Sequence, residues 1–105
     1  LQPPYQPVVC DYVIDELHRK FREKFPHKLT ELEAFLFNVL SYIKVVSTPE
    51  KETIEESKVR DPKDRPILRA ALNEHAELFL TGDKDFLESS IHDPRILSPA
   101  EFLKL

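Results

Sequence analysis

Leu78-Phe79-Leu80-Thr81-Gly82-Asp83-Lys84-Asp85 is the stretch on which the reading of this chain turns. Three apolar residues in a row, with no polar alternation, suit a short strand covered on both faces, as parallel strands are. The only glycine of the chain stands two residues after them. Its placement predicts a turn with dihedrals that side chains avoid. Asp83 and Asp85 then open a short helix through Phe86 and Leu87. Carboxylates at a strand exit and a helix start stand where parallel α/β folds bind their ligands.

Working back from that stretch, Asp61-Pro62-Lys63-Asp64 combines an N-cap with proline at the first helical position. Ile67, Leu68, Ala71 and Leu72 give the helix that follows its apolar face. Pro49 to Ser57 is charged and reads as a loop or short helix. The β-branched run Ile43-Lys44-Val45-Val46 predicts a strand. Before it, Thr30 and Glu33 have the spacing of a capping box, and Phe35, Leu36, Val39, Leu40 and Ile43 mark a buried side. Val8-Val9-Cys10 reads as a buried strand, with Asp11 as N-cap of a helix to about Phe25 that Pro26 stops. Leu1 to Pro7 is proline-rich and reads as irregular.

Working forward, Arg95-Ile96-Leu97 is a last short strand. Ser98-Pro99-Ala100-Glu101 has the pattern of a capping box, and its helix carries Phe102, Leu103 and Leu105. Strands alternating with helices predict an α/β fold, a parallel sheet in three layers, over one domain of residues 1–105.

Composition bounds the function. With 41% hydrophobic and 32% charged residues, the chain has an ordinary globular balance. No apolar run approaches the roughly 20 residues that span a bilayer, so no membrane partner is expected. One cysteine, Cys10, cannot form an internal disulfide, and a reducing cytoplasmic setting is the simplest expectation. The net charge of −4 does not attract nucleic acid as a whole. Locally, His18, Arg19, Lys20, Arg22, Lys24, His27 and Lys28 form a basic segment. It is either a solvated helix face or a phosphate-contacting rim.

The acidic residues carry the chemistry. Convergent carboxylates hold hard divalent cations, and the set Glu16, Asp64, Asp83 and Asp85 suits Mg²⁺ or Mn²⁺ better than zinc. Each has a plainer reading as well. Asp61 is a helix cap. Asp64 complements a helix start, Asp83 and Asp85 form a turn, and Glu16 is an exposed helix residue. The case rests on their combination.

The run Arg60-Asp61-Pro62-Lys63-Asp64-Arg65-Pro66-Ile67-Leu68-Arg69-Ala70-Ala71 resembles a PIN domain, together with 79–87 and 96–103. It is most similar to the group that forms the toxin component of toxin–antitoxin pairs. The helix bearing Asp15-Glu16-Leu17 fits too, and the likeness covers nearly the whole chain. The resemblance implies an α/β/α nuclease that hydrolyses single-stranded RNA with Mg²⁺ or Mn²⁺. It implies a cognate antitoxin that blocks the acidic site, and homodimers are common in such families. Residue by residue, Glu16 matches the helix glutamate, Asp64 the third acid and Asp83 the acid after the fourth strand. Asp85 is an auxiliary metal ligand, and Thr81 is a hydroxyl beside the site that orients water or ligand.

The pattern departs from the family at the front. A first strand ending in aspartate, and the helix after it, are expected ahead of Val8, so the domain reads as N-terminally truncated. An alternative therefore stands beside the nuclease: a catalytically incompetent PIN fragment acting as a binding or assembly module.

Overall fold

A computed structural model describes residues 5–105; the first four residues of the proline-rich start lie outside the described residues. The chain divides into two compact units, Leu1–Thr48 and Pro49–Leu105.

In the first unit, strand β1 (Val8–Cys10) leads directly into helix α1 (Asp11–Lys24). A 3-10 turn at Pro26–Lys28 leads into α2 (Leu29–Val39), and β2 (Lys44–Val46) closes the unit. The strands pair in parallel, Val8 opposite Lys44 and Cys10 opposite Val46. Leu32 and Leu36, one helical turn apart, are the buried residues of α2, and Cys10 and Val46 are buried where the strands end.

Two local expectations change here. Cys10 is the residue at the cap position of α1, and Asp11 is the first helical residue. The Asp11 carboxylate accepts from the Thr48 backbone N–H at 3.0 Å and hydroxyl at 2.7 Å, tying the exit of β2 to the start of α1. The Thr48 hydroxyl is the main cause that holds Asp11 below the usual carboxylate range. The Thr30–Glu33 capping box does not form, because the 3-10 turn runs straight into α2 and leaves Thr30 inside the helix. Glu33 instead meets His18 of α1, whose other ring nitrogen faces the Ile14 carbonyl at 3.0 Å.

In the second unit, 3-10 turns at Glu55–Lys58 and Pro62–Asp64 precede α3 (Arg65–Asn73). Strand β3 (Leu78–Leu80), the short helix α4 (Lys84–Leu87), β4 (Arg95–Leu97) and α5 (Pro99–Leu103) follow. β3 and β4 pair in parallel, Leu78 opposite Arg95 and Leu80 opposite Leu97. Val59, Leu68, Phe79, Phe86 and Ile91 form the core, with Ile67, Ala71, Leu72 and Ile96 packed around it. The Phe79 and Phe86 rings lie 4.8 Å apart, which locks α4 to the strand before it. Ser98 and Glu101 complete their reciprocal capping box as expected.

The fold is thus the expected mixed α/β arrangement with parallel strand pairing. Among the described residues the strands form two two-stranded sheets, β1–β2 and β3–β4. One expectation fails at Gly82. Its φ is not positive, and among the described residues the one in the left-handed region is His75, at φ 54°, just past the end of α3.

The charged segment after Pro49 holds a buried ion pair that sequence reasoning missed. Glu56, 3% exposed, receives Arg69 through Nη2 at 2.7 Å and Nε at 3.0 Å. Thr53 donates to the same carboxylate from its N–H at 3.0 Å and hydroxyl at 2.9 Å. Arg69 also reaches the Pro49 carbonyl at 3.0 Å, so one guanidinium fastens the segment to α3.

Candidate metal centre

Phe79, buried at 9% exposure, holds β3 in the core, and the Thr81 N–H extends the ladder to the Leu97 carbonyl at 3.0 Å. The chain then turns through a relay of side chains onto backbone. The Thr81 hydroxyl accepts the Asp83 N–H at 3.0 Å, and Asp83 Oδ1 accepts the Asp85 N–H at 2.9 Å. Asp83 is thereby the N-cap of α4 and Asp85 stands in its first turn. These bonds set the turn without glycine's special dihedrals.

A second turn presents its acids in the same way. Asp61 Oδ1 accepts the Lys63 N–H at 3.0 Å, and the Asp64 N–H returns to the Asp61 carbonyl at 3.0 Å. Asp64 ends this 3-10 turn at the start of α3.

Asp61, Asp64 and Asp85 each offer one carboxylate oxygen, all within 4.8 Å of one another, and all three are half-buried. Asp83 stands close enough to Asp64 to help raise its pKa. Burial, and then the charges of Asp61, Asp83 and Asp85, push the Asp64 carboxyl above the usual range. Negative charge is crowded here beyond what solvent relieves, which is the condition a bound cation would reverse.

The donor set fits a hard divalent cation. It is all oxygen, and Asp61, Asp64 and Asp85 would be the residues to hold such an ion. No histidine or cysteine joins the group, which disfavours zinc.

The structure thus brings Asp64 and Asp85 together and sets Asp83 beside them. Thr81 points its hydroxyl at the Asp83 backbone. Glu16 belongs to the first unit, where Arg19 donates to its carboxylate at 2.6 and 3.1 Å. Asp61, read from sequence as a cap alone, is both cap and member of the group. The available signal was the three-residue spacing from Asp64, which places both on one side of a helical turn. Arg60 was also missed: its guanidinium, 83% exposed, pairs with Asp85, 15% exposed. In the basic segment, His18 and Arg19 are engaged by Glu33, Glu16 and Glu23 of the same unit.

A family model described as PIN domain matches residues 2–85. No curated protein and no solved structure matches the chain. The matched span covers most of the sequence, Glu16 and the acidic group from Asp61 to Asp85, and the chain belongs to the PIN-domain family, a family of nucleases that typically bind divalent metals. No helix among the described residues is long and apolar enough to cross a membrane.

Proposed function

We propose that this protein is a metal-dependent endoribonuclease of PIN type and the toxin of a cytoplasmic toxin–antitoxin pair. The observation that carries the nuclease reading is the convergence of Asp61, Asp64 and Asp85, with Asp83 beside them, at the exit of β3 in a chain of this family. The toxin reading rests on the order and spacing of the acidic and capping motifs. An antitoxin protein covering the acidic group, and a homodimer, follow from the same resemblance.

Asp64 and Asp85 would hold Mg²⁺ or Mn²⁺, with Asp61 as a third ligand and Asp83 beside Asp64. Glu16 is the helix glutamate of the family's set. The cation supplies acidity to a bound water and offsets charge gathering on the phosphate. The protein's own work is positional. The Thr81–Asp83–Asp85 relay sets the turn that carries Asp83 and Asp85, and the Asp61–Lys63 cap sets the turn that carries Asp61 and Asp64. Water adds to phosphorus, one P–O ester bond breaks, and the leaving oxygen takes a proton.

The test is cleavage of a labelled single-stranded RNA by the protein expressed from its complete coding sequence. Cleavage is expected with Mg²⁺ or Mn²⁺, and loss of about 100-fold or more with Asp64→Ala or Asp83→Ala. Undiminished cleavage by either variant would show that the chemistry lies elsewhere.

A further inference from the structure

Arg60 stands at the edge of the acidic group with its root anchored and its tip loose. Val59, immediately before it, is fully buried. The Val59 N–H bonds the Glu56 carbonyl at 3.0 Å, and its carbonyl accepts from Arg65 Nε at 2.9 Å. Asp61, immediately after it, is held by its cap to Lys63. The Arg60 backbone is therefore fixed on both sides, while the side chain is 83% exposed and makes one ion pair, from Nη2 to Asp85 Oδ1. Asp85 is one of the three acids within 4.8 Å of one another. A guanidinium thus sits on one of the carboxylates of the acidic group.

We propose that Arg60 is a built-in competitor for the cation, displaced from Asp85 when the cation binds and then free to pair with a phosphate of the RNA. The inference rests on the metal-centre reading above. Two facts of chemistry support the exchange. A divalent cation in contact with several carboxylates outcompetes a single guanidinium that is itself largely solvated, because such a pair is weak. Guanidinium also matches phosphate oxygens as well as it matches carboxylate, with paired N–H donors. The displaced tip has only to swing, since its root does not move. Arg60 is then a positioning residue that charges the rim of an otherwise acidic site for a polyanion. It also guards the site: without the cation, the arm stays on the acid and the phosphate loses its partner.

The experiment is calorimetric titration of Mn²⁺ into the full-length wild type, Arg60→Gln and Arg60→Lys. Anisotropy of a labelled single-stranded phosphorothioate RNA is then measured with each protein at saturating Mn²⁺. Arg60→Gln should bind Mn²⁺ about threefold tighter and the RNA about threefold weaker. Arg60→Lys, which keeps the charge, should lie between. Unchanged Mn²⁺ affinity in Arg60→Gln overturns the competition, and unchanged RNA affinity overturns the transfer to phosphate. Absence of Mn²⁺ binding by all three proteins overturns the metal-centre reading itself, a result distinct from equal, measurable affinities.

Discussion

The buried Glu56 carboxylate is surrounded by donors, Arg69 on one side and Thr53 on the other. Arg69 is the main cause that pulls its pKa down to about 2. A depressed carboxylate stabilises the folded state in full above its unfolded pKa near 4.5 and loses that contribution as pH falls toward 2. Arg69→Ala should therefore cost about 3–5 kcal/mol at neutral pH, because it strands a buried charge. The gap between variant and wild type should close between those two pH values, as read from urea midpoints across a pH series. A gap that stays constant would assign the cost to lost packing alone. Gly82 makes the opposite prediction. Its φ is ordinary and a methyl group there would meet nothing within 4 Å. Gly82→Ala should fold normally and gain about 0.4–1 kcal/mol by restricting the unfolded chain.

At the scale of elements, short helices depend on their ends. α5 has five residues, and its capping box satisfies donors that so short a helix cannot satisfy internally. Ser98→Ala should cost about 1 kcal/mol in chemical denaturation. This box was legible in the sequence, as were the short strands β1, β3 and β4 and the Asp61 cap, since each follows from residues within one turn. What could not be read depended on context. Thr30 and Glu33 have the same spacing as Ser98 and Glu101, but the 3-10 turn ahead of them had already begun the helix. Gly82 stood where a strained turn was expected, and the Thr81 and Asp83 side chains shape that turn instead. Glu56 looked like one more surface acid in a charged stretch, because its partner lies 13 residues away in sequence. The site was half legible for a related reason. Asp64, Asp83 and Asp85 declare themselves by position, whereas Asp61 has two oxygens and sequence accounts for only one.

For the molecule as a whole, a cation that binds only the folded state adds to its stability. At free Mn²⁺ 100 times its Kd, the gain should be about 2.7 kcal/mol, read as a rise in Tm. Asp64→Asn should abolish that rise while raising the Tm of the metal-free protein by a few degrees, because it relieves crowding among the acids. A metal-dependent rise that survives in Asp64→Asn would place the ion elsewhere.

The strand pairing has a consequence for how this protein behaves in solution. With two strands to each described sheet, every one of them is an outer strand. Among the described residues each strand pairs along one flank only, and Val8, Val45 and Leu80 are more than two-fifths exposed. Such flanks invite self-association by strand addition. Concentration should therefore govern this molecule's integrity as much as temperature does: dilute samples should stay well dispersed, and crowded ones should grow in particle size before they unfold.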